Sequence, residues 1–474
     1  MESEFYMYTN QKLEEFKEKI KGKYVAIMGM GVSNTPLIKY LLDLDVNITV
    51  FDKKTEEELG KALIEEYVLQ GINFSLGEDY LDNLHGYDII FRTPGMRPDF
   101  PAIQKEIERG AKLTSEIEML IELCPAKIIA VTGSDGKTTT TTLIHKMLVE
   151  EGHHCYLGGN IGTPIFAQID EMKPEDIVVL ELSSFQLMTL EKSPNIAVVT
   201  NISPNHLDVH KSYEEYIDAK KNIFKYQTAS DITILNYDNE ITRDFDDEIV
   251  GNVRFFSTKS KLDDGVILED NEIKIVKNKE KTSVIDIREI LLLGKHNIEN
   301  ACTAIAAVQD LVTIESIQNV LTTFRGVEHR MEFIRELDGV KWYNDSIGSS
   351  PTRTIAGLAS FKDKVILIAG GYDKHLDYTD MGRYIVDHVK VLILMGQTKE
   401  KIKVATLDEI RNRGGDVELP IFECESLEET VKTAVETSVS GDIIFFSPAS
   451  ASFDMFKNFM ERGNKFKDLV KDLK

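Results

Sequence analysis

Apolar positions along the chain fall into short runs, each closed by glycine, proline or a polar cluster. Residues 23–28, 47–51, 88–91, 127–131, 176–182 and 196–200 are continuous apolar segments rich in β-branched side chains. Residues 365–369, 391–395 and 442–446 repeat the pattern, and Lys341-Trp-Tyr-Asn-Asp345 reads as a further strand running into a Ser/Gly-rich loop. Short runs without alternation predict strands buried on both faces, as in parallel sheets. Between them the period changes. Leu143, Ile144, Met147 and Leu148 share one helical face, and Ala301 to Leu311 forms an alanine-rich helix. Residues 11–22 predict a charged surface helix, and residues 97–126 carry helical patterning punctuated by Pro101 and Pro125. Residues 231–290 predict strands joined by charged turns. Strands alternating with helices give an α/β protein with mostly parallel sheets.

A chain of 474 residues exceeds one hydrophobic core. Two to four domains are expected from length, and boundaries near residues 115 and 326 divide the chain into 1–115, 116–326 and 327–474. The first and third are read as Rossmann-like, and the central one as a P-loop ATPase-like domain.

The central domain opens on the most informative stretch, Lys127-Ile-Ile-Ala-Val-Thr-Gly-Ser-Asp-Gly-Lys-Thr-Thr-Thr140. Strand, glycine loop and helix together form a phosphate cradle. Glycines let backbone N–H groups close around an anion, and the helix N-terminus adds its positive end. Gly133, Ser134, Asp135, Gly136, Lys137, Thr138 and Thr139 are therefore candidate ATP contacts. Lys137 would reach the β- and γ-phosphates, and the Thr138 hydroxyl would ligate Mg²⁺. The loop is shorter than the usual phosphate loop, because residue 131 is Val. Glu181, near the end of its strand, is a second candidate for the metal.

Charge narrows the partners. A formal net charge of −24 argues against nucleic acid or an anionic membrane surface. Four scattered cysteines without C-x-x-C spacing suit a reducing cytoplasm better than a disulfide frame or a zinc site. No signal core or apolar stretch of about 18 residues is found.

Two further strand ends carry chemistry. Gly29-Met-Gly31, with Asp52 about 20 positions on, resembles a dinucleotide-binding turn, but Asn34 stands where the third glycine belongs. That fits a Rossmann-like domain for another nucleotide equally well, or for none. His206, in Asn205-His-Leu-Asp208 after a strand, is a candidate ligand. Lys220 and Lys221 lie on the next helix, where nothing local separates them.

With these residues in view the chain resembles the Mur ligases over its whole length. The resemblance rests on an ordered set: residues 132–139, Gly159-Asn-Ile-Gly162, Glu181-Leu-Ser-Ser-Phe-Gln-Leu187, Asn205-His-Leu-Asp208, Gly294-Lys-His-Asn-Ile-Glu-Asn300, His329-Arg330, Asn344-Asp-Ser346 and Ser447-Pro-Ala-Ser-Ala-Ser-Phe-Asp454. The runs at 181 and 447 favour the family member that adds D-glutamate to UDP-N-acetylmuramoyl-L-alanine. The resemblance implies a cytoplasmic, monomeric, ATP- and Mg²⁺-dependent ligase of peptidoglycan precursor synthesis, acting through an acyl phosphate. It implies a first domain for the UDP end, a second for ATP, and a third that closes over both and brings the amino acid. It places Val32, Ser33, Asp52 and Gly95 at the uridine and diphosphate, and Asn160 and His206 at the substrate. Lys137, Thr138 and Glu181 would hold phosphates and metal. Lys220 matches a lysine that is carbamylated and, with His206, would form a second metal site. Asn300 and Arg330 would meet the adenine, and Asp345 the ribose. Ser349, Lys374, Ser452 and Phe459 match the D-glutamate site. One departure stands out. Many members have Lys after Asn-Asp-Ser, where this chain has Ile347. Folylpolyglutamate synthase shares the central chemistry but lacks the N-terminal domain. A nicotinamide oxidoreductase would leave the phosphate loop unexplained, and a non-catalytic regulator would not need Glu181, His206 and Lys220 together.

Overall fold

In a computed structural model of the whole chain, the residues described are 8–474 except 32, 205–208, 293, 375 and 416. The chain divides into two compact units, Met1–Glu289 with Ile298–Thr322, and Ile290–Asn297 with Thr323–Lys474.

The first unit contains two sheets. Strands β1 (Tyr24–Met28), β2 (Asn47–Asp52), β3 (Asn73–Leu76), β4 (Ile89–Phe91) and β5 (Lys112–Thr114) pair in the order β3-β2-β1-β4-β5, all parallel. The larger sheet comprises β6 (Lys127–Thr132), β7 (Cys155–Gly159), β8 (Ile177–Glu181), β9 (Ile196–Val199), β10 (Ile232–Asn236), β11 (Asn252–Ser257), β12 (Gly265–Glu269), β13 (Glu272–Lys277) and β14 (Glu280–Asp286). Its order is β14-β13-β12-β11-β10-β9-β6-β8-β7, parallel except for the antiparallel ribbon of the last strands. The second unit contributes β15 (Glu332–Leu337), β16 (Val340–Asn344), β17 (Val365–Ala369), β18 (Val389–Leu394), β19 (Ile421–Glu423) and β20 (Ile443–Phe446), ordered β15-β16-β20-β17-β18-β19. Only β15 runs antiparallel there. The expected three mostly parallel α/β sheets are all present.

The apolar runs are strands because both their faces are covered. Ile128 to Val131 and Ile366 to Ala369 are buried throughout. Register then sets what lies side by side. Val131 pairs with Glu181, Glu181 with Gly159, and Thr132 with Val199. Four neighbouring strands therefore end at one level, the edge where open parallel sheets bind ligands.

Some boundaries differ from the sequence reading. The helix after the glycine loop starts at Lys137, ahead of its apolar stripe. In the threonine-rich turn Thr141 and Thr142 donate their hydroxyls back to the Lys137 and Thr138 carbonyls, which keeps those hydroxyls paired inside the helix. Between helices Pro101–Glu108 and Glu116–Leu123 lies β5, too short for an alternating signal. The charged N-terminal helix Gln11–Ile20 buries Leu13 and Ile20.

Glu116, at the start of its helix, is buried, with the Phe166 N–H donating to it at 3.2 Å. Burial, only partly opposed by that bond, raises its carboxyl from an ordinary 4.5 to about 7. A raised carboxyl means that folding favours the neutral acid. The contribution is complete below pH about 4.5 and is lost as pH rises through about 7. Glu116→Gln should therefore raise the Tm at pH 8, by the equivalent of about 3 kcal/mol, and do little at pH 5. Thermal unfolding at the two pH values checks this. An equal gain at both would refute it.

Candidate active site

The glycine loop turns where other residues could not. Gly133 has φ 145° and Gly136 has φ 78°. A Cβ at 133 would overlap the Thr200 hydroxyl, and one at 136 the side-chain oxygen of buried Asn300. Gly136 is the N-cap of helix Lys137–Glu151. Ser134 pins the loop: its N–H donates to the Asn201 carbonyl at 2.9 Å, and its hydroxyl bonds the Ser203 carbonyl and the Tyr216 hydroxyl. Asp135 is exposed at the tip. The Lys137 ammonium lies back over the loop, donating to the Gly133 and Ser134 carbonyls at 3.0 Å each. Thr138 is half-buried in the first helical turn, and Thr139 is buried behind it.

Glu181 sits one strand away and is 1% exposed. Its Oε1 accepts from the Asn160 side chain at 2.7 Å, and its carbonyl accepts the Asn160 N–H at 2.8 Å. Its buried Oε2 accepts no hydrogen bond among the described residues. An orphaned carboxylate oxygen at this depth fits a cation ligand. Among the described residues no cluster of three or more His, Cys, Asp or Glu could hold a metal. A metal here would draw on Glu181, hydroxyls and phosphate oxygens, the donor set of Mg²⁺.

Structure separates the two lysines that look alike in sequence. Both lie on helix Tyr213–Lys225. Lys220 is 1% exposed; its Nζ donates to the Gly133 carbonyl at 2.8 Å and the Thr132 hydroxyl at 3.2 Å, above the Tyr216 ring. Burial first, then the charge of Lys137, hold its pKa well below the lysine range, with Asp135 and Glu181 opposing. Lys221 points outward to Glu248 at 2.6 Å. His206 and Val32 lie outside the described residues.

In the smaller sheet, buried Asn34 donates its amide to the Met28 and Gly29 carbonyls and so fills the turn that a third glycine would leave open. Asp52 accepts the Met30 N–H at 2.8 Å and the Lys54 N–H at 2.9 Å. Ser33 is the N-cap of helix Asn34–Leu42, and Gly95 is exposed in the turn after β4.

Sequence reasoning passed over two arginines in that turn. Arg92 is 1% exposed and donates to the Phe185 carbonyl at 2.6 Å, the Thr189 hydroxyl at 3.1 Å and the Met96 carbonyl at 3.1 Å. It ties the Gly95 turn to the segment that follows Glu181. Arg97 pairs with Glu215, on the Lys220 helix, at 2.7 Å. A charged residue directly abutting an apolar strand was the available signal.

In the second unit the register Asn344–Phe446–Ile368 levels the carboxyl ends of β16, β20 and β17. Asp345 is buried, accepting the Met331 N–H at 3.2 Å and the Ser447 hydroxyl at 2.7 Å. Burial pushes its carboxyl up to about 6, with these bonds and then Arg330 and Arg353 opposing. The Lys374 ammonium stands over the Phe453 ring, next to buried Ser452. The Tyr372 N–H donates to the Ala451 carbonyl, joining their two loops. Phe459 starts helix Phe459–Asp472, and its carbonyl accepts the Ser346 hydroxyl at 2.8 Å. Arg462, unremarked in sequence and wholly buried, donates to the Ser346, Ser450 and Ala451 carbonyls and holds these loops together. Ser349 lies in the β16 loop, its N–H 2.8 Å from the Ile347 carbonyl.

Three family models match the chain. Residues 23–115 match the Mur ligase MurD-like N-terminal domain, 131–308 the Mur ligase middle domain, and 329–450 the Mur ligase glutamate ligase domain. A UDP-N-acetylmuramoylalanine–D-glutamate ligase of Acetivibrio thermocellus is 57% identical, with 98% of this chain and 99% of that protein aligned. The chain belongs to the Mur ligase family. A second Mur ligase relative of the same name, from Ruminiclostridium cellulolyticum, is 53% identical over 98% of this chain and 100% of its own length. The Mur ligase fold is seen in the UDP-N-acetylmuramate–alanine ligase of Thermotoga maritima, with a TM-score of 0.57, 19% identity, and coverage of 95% of this chain and 100% of that one. The MurF ligase of Thermotoga maritima, solved with ADP, gives 0.53 at 16% identity, covering 96% and 97%.

Proposed function

We propose that this Mur ligase joins D-glutamate to UDP-N-acetylmuramoyl-L-alanine at the expense of ATP, in the cytoplasm, as a step of peptidoglycan precursor synthesis. The supporting observation is a phosphate loop, an orphaned Glu181 oxygen and a buried Lys220 amine at one sheet edge, in a chain 57% identical to a protein of that name. Residues 1–115 take the uridine nucleotide through Ser33, Asp52, Gly95 and Val32, residues 116–326 take ATP, and residues 327–474 take the amino acid.

A carboxylate is a poor electrophile, so the alanyl carboxylate first accepts the γ-phosphoryl group of ATP, leaving an acyl phosphate and ADP. Two anions must meet. Lys137 and the loop N–H groups lower that repulsion and the charge that develops on the transferring group. Thr138 and Glu181 would hold Mg²⁺, which neutralises phosphate charge. The neutral amine of D-glutamate then attacks the acyl carbon, and phosphate leaves from the tetrahedral intermediate. No enzyme nucleophile takes part. The depressed pKa favours the unprotonated amine of Lys220, the form that adds to CO₂, releasing a proton and leaving a carbamate. With His206 that carbamate would serve as an anionic ligand for a second Mg²⁺. Asn160 orients Glu181 and meets the substrate. Lys374 holds the side-chain carboxylate of D-glutamate with the hydroxyls of Ser349 and Ser452, against Phe459.

Phosphate release with UDP-N-acetylmuramoyl-L-alanine and ATP tests the reading across D-glutamate, L-glutamate, D-aspartate, L-lysine and diaminopimelate. D-glutamate should be the preferred acceptor, and NADH should not bind. Preference for L-lysine or diaminopimelate, or tight NADH binding without a response to the UDP compound, would overturn it.

A further inference from the structure

The β16 loop, Ser346-Ile-Gly-Ser-Ser350, carries no positive side chain of its own. The next helix, Pro351–Leu358, supplies one in its first turn. Arg353 is exposed, and its Nη1 donates to the Ile347 carbonyl at 3.4 Å. The Ser349 N–H donates to that same carbonyl at 2.8 Å. Guanidinium and Ser349 therefore flank a single backbone oxygen. The bond is long, and the guanidinium has further N–H groups to offer a planar anion.

The neighbouring arginine of this loop is unlike it. Arg462 is wholly buried, with its guanidinium spent on the Ser346, Ser450 and Ala451 carbonyls and the Ser346 hydroxyl. It fixes the loops. Arg353 faces water from the surface of the same loop, and its charge reaches buried Asp345. Lys374 lies on the loop after β17, and β20 separates β17 from β16. Two cations thus stand on two loops, with one strand between them.

We propose that Arg353 is a substrate-binding residue that takes the α-carboxylate of the incoming amino acid through its guanidinium, beside Ser349. This rests on the D-glutamate reading above, in which Lys374 takes the other carboxylate. A dicarboxylic acid then meets one cation at each end, and an acceptor lacking either charge loses a charge-assisted pair.

The test is steady-state phosphate release by the full chain. Wild-type turnover with D-glutamate is measured first and judges the underlying reading alone. Arg353→Ala should then raise the KM for D-glutamate roughly 10- to 100-fold, while the KM for ATP changes less than about twofold. Arg353→Lys should recover part of the loss. Adding Ile347→Lys to Arg353→Ala should restore the KM to within a few-fold of wild type. 4-Aminobutyrate, which is glutamate without its α-carboxylate, should inhibit wild type and Arg353→Ala alike. An unmoved D-glutamate KM in a variant of unchanged Tm would overturn the proposal and leave the reading intact. So would a rise confined to ATP, or equal weakening of 4-aminobutyrate.

Discussion

Lys220→Ala is expected to lower kcat roughly 10³-fold, the scale of removing a group that stabilises transition-state charge. The side chain is the buried member of its pair, with Nζ on the Gly133 carbonyl that closes the phosphate loop. Its loss removes that strut and, on the proposed reading, the anionic ligand that a carbamate there would provide. Short carboxylates such as acetate or propionate should restore part of the rate, because they bring an anion into the space the side chain leaves. Lys221→Ala, which releases Glu248 and the Phe245 ring away from the phosphate loop, should keep near-normal turnover. Phosphate-release assays on both variants, with and without added carboxylate, check this. Full activity in Lys220→Ala, or a comparable loss in Lys221→Ala, would show that the helix presents the wrong lysine.

A second large effect is expected from one methyl group. Gly159 closes β7 with φ 95°, and an added Cβ would overlap the Glu181 carbonyl. The obstacle is backbone, so no rotamer change relieves it. Strain at positive φ costs about 1–3 kcal/mol. The displaced Glu181 and Asn160 add a catalytic loss on the order of 10²-fold, as expected for an ångström of misplacement. Gly152→Ala is the matched control. It too has a positive φ, 102°, but nothing lies within 4 Å of its Cβ. It should lower the Tm modestly and leave turnover alone. Equal activity in the two variants would mean that the Gly159–Glu181 contact has no bearing on catalysis.

The strand cores, the sheet class and the phosphate loop were legible because each follows from a local pattern. β-branched runs make strands, glycines make the cradle, and the level of strand ends follows from parallel pairing. Three features were not local. Lys220 and Lys221 are adjacent and chemically identical, and only the packing of helix Tyr213–Lys225 decides which enters the core. Nothing local marks Arg92 and Arg462 as buried, since buried guanidinium groups are rare; their partners lie 93 and 116 positions away. Asn34 read as a missing glycine, whereas its amide does the closing that a glycine would have left to the backbone. The short strand Lys112–Thr114 escaped because three residues carry no period.

The Arg92 tie constrains how this scaffold can be recombined. Its guanidinium leaves β4 and ends on Phe185 and Thr189, residues of a different sheet's connecting segment. Glu118, on the helix between the two sheets, bonds Thr189 at 3.1 Å and is held up at about 7 by burial. Exchanging the first 115 residues for those of another ligase would therefore carry away the arginine and strand its acceptors, or import a guanidinium with nothing to meet. The stranded neutral acceptors would cost roughly 1–3 kcal/mol, and an unmatched buried guanidinium roughly 3–5 kcal/mol. A graft that moves residues 184–189 together with the N-terminal sheet keeps the clasp whole, so the exchangeable module is discontinuous along the chain.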